Sequence, residues 1–138
     1  MKRACFTYGS LMCEDIMARV AGGAFSSTAA TLHGYARHPV RDETYPAIVP
    51  RQGDSVAGRL YREVDAAALQ RLDAFEGEMY ARTPVCVELP DGGRADAEAY
   101  VFRPAWEHLL MPGEWDFERF LAHGKAHFLA RYLGFSKL

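Results

Sequence analysis

Residues 83–102 read TPVCVELPDGGRADAEAYVF. Two strand-forming runs, Thr83 to Leu89 and Ala95 to Phe102, flank Pro90-Asp91-Gly92-Gly93, a cluster of turn formers. The pattern predicts a β-hairpin. Working back from it, Ser55 to Val64 reads as a strand in which Gly58 marks a bulge or a close backbone approach. Ala29 to Ala36 and Ala47 to Val49 read as shorter strands around a polar, proline-bearing segment, Arg37 to Pro46. Ala4 to Tyr8 is a first strand, broken by Gly9-Ser10. Several strands with few helices between them predict an α+β fold. The expectation is one domain over residues 1–138, with a sheet or barrel core and flanking helices.

Three helices are expected. Leu11, Met12, Ile16, Met17 and Val20 recur at helical spacing, with Glu14 and Asp15 on the polar side. Ala21 to Ser27 is then a small-residue loop around Gly22-Gly23. Asp65 is a good N-cap for a helix from Ala66 to about Phe75, which Gly77 stops. Phe117, Phe120, Leu121, Phe128 and Tyr132 give Asp116 to Tyr132 an apolar stripe.

Composition fits a globular chain: 138 residues, 49% hydrophobic and 25% charged. A domain this long buries enough surface to fold without metal or disulfide. Sixteen Lys plus Arg against eighteen Asp plus Glu leave a formal charge of -2, which argues against non-specific nucleic-acid binding. No apolar run approaches a membrane span, and the run after Lys2-Arg3 is too short for a signal peptide. Cys5, Cys13 and Cys86 are odd in number, widely spaced and without a C-x-x-C, so reduced thiols in a cytoplasmic protein are expected.

Glu76 is the most informative residue. Leu69, Leu72 and Phe75 share a helix face, and Glu76 follows Leu72 by four and Leu69 by seven, so it falls inside the apolar stripe. Asp73 falls at its border. Desolvation and the negative helix end both raise the proton affinity of such a carboxyl, and a carboxyl titrating near neutral pH can take and return a proton. The other reading is a frayed last turn, with Glu76 reaching water or pairing with Arg82. Tyr8-Gly9-Ser10-Leu11 is the second candidate. A strand ending in Gly-Ser ahead of a helix leaves backbone N–H groups free to hold a carboxylate, a phosphate or a developing oxyanion. Its other reading is an ordinary turn capped by Ser10. No phosphate-loop or nucleophile-elbow motif is present. His123 and His127 share a helix face but lack the glutamate and third ligand of a zinc site, and read as surface or partly buried histidines. Trp106, Trp115 and the C-terminal phenylalanines read as core.

The order of these pieces resembles a known family. Tyr8-Gly9-Ser10-Leu11, Tyr45-Pro46-Ala47-Ile48, Gly58-Arg59-Leu60-Tyr61, Leu72-Asp73-Ala74-Phe75-Glu76-Gly77 and Tyr80-Ala81-Arg82 follow the pattern of the γ-glutamylcyclotransferase-like superfamily. Trp115-Asp116-Phe117 is similar to bacterial members of its AIG2-like branch. The resemblance covers about residues 5 to 132. It implies a small mixed β-barrel with flanking helices and a ligand cavity between the glycine loop and the acidic residue. It places the family's catalytic glutamate on Glu76 and its substrate loop on Tyr8, Gly9, Ser10 and Leu11. It also implies ring closure of a small-molecule γ-glutamyl amide to 5-oxoproline, with no metal, nucleotide or flavin. A non-catalytic binding barrel and a filled barrel are the rival expectations. Enzymes of this superfamily that act on γ-glutamyl amino acids carry asparagine where this chain has Leu11. Those that release lysine from γ-glutamyl-lysine crosslinks carry threonine in place of Ser10. Glutathione-degrading relatives can also carry Tyr-Gly-Ser-Leu, though they are typically longer and differ elsewhere. The branch therefore leans toward γ-glutamylamine-type substrates, with γ-glutamyl peptides left open.

Overall fold

The computed structural model describes residues 2–134, with side chains to Arg131. Five strands close a barrel in the order β1-β3-β2-β4-β5: β1 Arg3–Thr7, β2 Ser27–Pro39, β3 Pro46–Val64, β4 Tyr80–Glu88 and β5 Arg94–Phe102. Neighbours are antiparallel except where β5 returns to β1, which pair in parallel at Cys5 and Glu98. The hairpin expected at residues 83–102 is β4–β5, running in register from Tyr80 opposite Phe102 to Glu88 opposite Arg94. The barrel is mixed, as the resemblance implies.

Two expectations need correction. The short strands at Ala47–Val49 and Ser55–Val64 are parts of one bent strand, β3, and β2 runs on through Arg37 and His38 into the segment read as polar loop. The pairing slips between His33 and Tyr35. Gly34 and Gly53, both at positive φ, sit at that irregularity, so turn-forming residues mark a bend inside the ladder rather than its end. The helix expected from Leu11 is also shorter. A tight turn, Ser10–Met12, precedes α1, Glu14–Ala21. Cys13, not Ser10, occupies the cap position, and no side chain caps it. Gly22, left-handed at φ 81°, ends α1 by donating to the Ala18 carbonyl at 3.0 Å.

The strands serve two cores. Phe6, Leu32, Ile48, Val56, Leu60, Val87, Ala97, Ala99 and Val101 fill the barrel. Their neighbours Cys5, Ala47, Tyr61, Tyr100 and Phe102 point outward and pack with Ile16 and Met17 of α1 and Leu69 and Leu72 of α2. This is why β5 is buried continuously from Ala97 to Phe102 instead of alternating. Gly58 is the expected close approach: a Cβ there would lie 2.1 Å from the Thr7 carbonyl oxygen.

α2, Ala66–Glu76, begins where expected. Asp65 accepts from the Ala68 amide at 2.8 Å, and Gly77, at φ 78°, donates to the Asp73 carbonyl at 3.1 Å. The last helix, α3, spans residues 117–134 and is capped by Asp116. Its turns widen to i→i+5 at Phe120–Gly124 and again at Leu129–Gly134. Gly124 lies against Thr44, where a Cβ would meet the threonine Cβ at 3.4 Å. Phe120 and Phe128 are buried, while Leu121, expected on the apolar stripe, is exposed. Tyr132, on the same expected stripe, lies outside the described side chains.

Candidate active site

β1 ends at Thr7, and the chain turns over the outer core at the C-terminal end of α2. A cavity of about 90 Å³ opens there. All five residues singled out from the sequence line it: Tyr8, Gly9, Ser10 and Leu11 from one side, Glu76 from the last residue of α2. Tyr45, Pro46, Tyr80 and Tyr100 complete its polar and aromatic wall, with Phe75 and Phe128 beside them.

Glu76 faces inward for the reason its spacing predicts. Leu69 and Leu72, seven and four residues before it, are buried in the outer core. Arg82 does not neutralise it; that guanidinium lies 3.0 Å from Glu98 and 3.6 Å from Asp73. No group among the described residues hydrogen-bonds the Glu76 carboxyl, and burial pushes it up from 4.5 to about 8.

Three of the surrounding phenols, those of Tyr8, Tyr80 and Tyr100, already donate elsewhere. Tyr8 donates to the Tyr100 carbonyl at 2.6 Å, Tyr80 to the Pro46 carbonyl at 2.9 Å, and Tyr100 to Asp73 Oδ1 at 2.7 Å. Burial raises all three phenols above their ordinary range, with Glu76 adding to each. They stay protonated, and their hydrogens are committed to holding Tyr8, Pro46 and α2 in place. Glu76 is thus an ionisable group left open toward whatever enters.

The turn after β1 carries free donors. The Gly9 and Ser10 carbonyls accept from the Met12 and Cys13 amides at 3.0 and 3.1 Å, closing the tight turn. The amide hydrogens of Gly9, Ser10 and Leu11 find no acceptor among the described residues. Gly9 is required by crowding: a Cβ would sit 2.7 Å from Pro46 Cδ. Leu11 is buried, and its carbonyl is fixed by the Tyr61 hydroxyl at 2.7 Å. Unpaired turn amides and a carboxyl of raised proton affinity line one aromatic recess, a combination that suits a small substrate carrying both a carbonyl and an ammonium.

The other candidates lie elsewhere. His123 and His127 are exposed on α3, and the described residues contain no cluster of three metal-ligating side chains. Cys5 and Cys13 are buried and Cys86 is exposed; burial pushes the Cys5 thiol up to about 12. No helix among the described residues is long and apolar enough to cross a membrane. Sequence reasoning left Tyr80 open and passed over Tyr45, Pro46 and Tyr100 as lining residues. Tyr80 reaches the cavity. Tyr100 carried no periodic signal, because every residue around it is buried.

A closed five-strand barrel with flanking helices and a recess at the end of its first strand is the architecture of cyclotransferase-type proteins. The chain belongs to the family described as gamma-glutamyl cyclotransferase, AIG2-like, whose model matches residues 5–117. It is 33% identical over 115 residues to AIG2-like protein D of Arabidopsis thaliana, covering 82% of this chain and 75% of that one. It is 30% identical over 131 residues to AIG2-like protein A of the same plant, covering 92% and 77%. A solution structure from Arabidopsis thaliana superposes with a TM-score of 0.71 at 28% identity, over 94% of this chain and 87% of that one. The fold is also shared with a structure titled gamma-glutamyl cyclotransferase, at a TM-score of 0.64 and 19% identity, over 79% and 76% of the two chains.

Proposed function

We propose that the protein converts a γ-glutamyl amide to 5-oxoproline and a free amine by intramolecular acyl transfer, with Glu76 as general acid and base. The observation that carries this reading is the unpartnered Glu76 carboxyl, raised to about 8, on the same cavity as the unpaired amides of the Tyr8–Leu11 turn. An α-amino group titrates at about 7.7–8.0 at a peptide N-terminus and higher beside the free carboxylate of a γ-glutamyl compound. Raising Glu76 to about 8 narrows the gap to that ammonium and lowers the penalty for proton transfer between the two.

The substrate's α-ammonium gives a proton to Glu76. The freed nitrogen attacks the γ-carbonyl carbon, forming the lactam C–N bond. The carbonyl oxygen takes up negative charge against the N–H groups of Gly9, Ser10 and Leu11. Collapse breaks the bond to the leaving nitrogen, and Glu76 returns the proton there. The second proton shed by the ring nitrogen follows it, so the amine leaves as ammonium. Nucleophile and electrophile belong to one molecule, and holding it in a ring-closing shape supplies much of the acceleration.

The test is 5-oxoproline formation, followed by mass spectrometry, from γ-glutamylamines, γ-glutamyl amino acids and glutathione. Wild-type turnover that falls about 10²–10⁴-fold in Glu76→Gln is expected. Turnover unchanged in that variant refutes the assignment of Glu76. Binding of these compounds without product refutes catalysis in favour of a binding barrel.

A further inference from the structure

Arg37 lies on β2, outside the cavity wall, yet its side chain is tied to the glycine turn. Its side chain is only 11% exposed. Nη1 donates to the Tyr8 carbonyl at 2.8 Å and to the Ala57 carbonyl at 3.2 Å. Nε and Nη2 form a fork onto Glu114 Oε1 at 3.0 and 2.9 Å. The guanidinium carbon stands 5.3 Å from the centre of the Trp115 ring. Glu114 and Trp115 belong to the segment leading into α3, so three separate parts of the chain fix the orientation of one cation.

That cation grips the peptide linking Tyr8 to Gly9. A trans peptide sets its C=O and N–H on opposite sides, so a carbonyl drawn toward Arg37 turns the Gly9 N–H the other way. Gly9 lines the cavity and Arg37 does not; the N–H has no acceptor among the described residues. A charge-assisted bond to the carbonyl also polarises the peptide and makes its N–H a stronger donor.

We propose that Arg37 is a positioning residue for the reaction, acting through the Tyr8–Gly9 peptide. It aims the Gly9 N–H at the oxygen that gains charge during ring closure and strengthens that donor. This rests on the acyl-transfer reading for its catalytic part alone; the state of the peptide is independent of it.

The experiment compares wild type, Arg37→Met and Arg37→Lys by steady-state kinetics and by the amide resonance of Gly9 in 15N-labelled protein without substrate. Losing an oxyanion donor outright lowers kcat about 10²–10³-fold. Weakening one is expected to lower it about tenfold or more in Arg37→Met, with KM within about twofold, and Lys should recover most of the loss. The Gly9 amide proton should move upfield in Met and return toward wild type in Lys. A kcat near wild type in Met, a loss confined to KM, or an unmoved Gly9 signal overturns the proposal. If wild type makes no 5-oxoproline, the functional reading fails while the Gly9 signal still decides whether Arg37 polarises the turn. If Arg37→Met does not fold, Arg37→Gln replaces it, because it keeps a donor without the charge. A Gln variant matching wild type in kcat and Gly9 shift then overturns the claim.

Discussion

Glu76→Gln should stabilise the protein, and the size of the gain depends on pH. The carboxyl ionises at 4.5 in an open chain and is held up to about 8 in the fold by burial. At ~1.36 kcal/mol per pH unit, that difference corresponds to roughly 5 kcal/mol. The residue is partly exposed at the cavity, so solvent relieves part of the penalty and about 2–3 kcal/mol is expected. Between pH 4.5 and about 8 the unfolded chain loses this proton while the folded chain keeps it. The unfolded state then binds fewer protons, and stability falls as pH rises, levelling off above about 8. Glutamine has no proton to lose, is nearly the same size, and removes this component alone. Thermal melts of both proteins from pH 5 to 9.5 therefore diverge. They nearly coincide at the acid end, and the variant leads by roughly 5–10 °C at the alkaline end, at about 2–5 °C per kcal/mol for a chain of this length. Two melting curves that run parallel across the range would show that Glu76 is solvated like a surface carboxylate, and the argument for its proton affinity would collapse.

If the wild type turns over a γ-glutamyl amide, kcat/KM should drop tenfold per unit as pH falls below about 8, where Glu76 takes up its proton. A flat acid limb down to pH 6 would exclude Glu76 as the base. Gly9→Ala drives a methyl to 2.7 Å from Pro46 Cδ; about 1–3 kcal/mol of destabilisation and a displaced turn are expected, measured as lower denaturant midpoint and raised KM. Gly58→Ala is worse, because the new carbon meets the Thr7 carbonyl oxygen at 2.1 Å. Soluble, wild-type-like protein from that variant would contradict the observed crossing of β1 and β3. Native protein should expose one of its three thiols to a chromogenic disulfide reagent, Cys86, with Cys5 and Cys13 reacting only on unfolding.

What the sequence made legible was local. Asp65 and Gly77 frame α2 because a carboxylate cap and a left-handed glycine act within one turn of themselves. The Pro90-Asp91-Gly92-Gly93 turn sets its own hairpin. Glu76 was readable because a polar residue on an apolar stripe breaks a pattern. β2 and β3 were harder. The polar residues from Arg37 and the run between Val49 and Ser55 look like ends of strands, yet the chain bends at Gly34 and Gly53 and the pairing resumes beyond them, a choice made by neighbours distant in sequence. The tyrosine wall was harder still. Tyr45 precedes β3, Tyr80 opens β4 and Tyr100 lies in β5, and nothing local distinguishes a phenol facing a cavity from one in a core.

The parallel seam between β1 and β5 governs when this molecule becomes complete. β1 leaves the ribosome first, yet it lies between β3 and β5, and Arg3 reaches Glu98 at a separation of 95 residues. Joining ends so far apart is slow and entropically unfavourable until most of the chain is in place. A nascent or truncated chain ending before residue 94 therefore has an apolar first strand with a bare edge and no working recess. Closure of the recess after denaturation should then lag behind recovery of helical structure, the whole barrel having to assemble first.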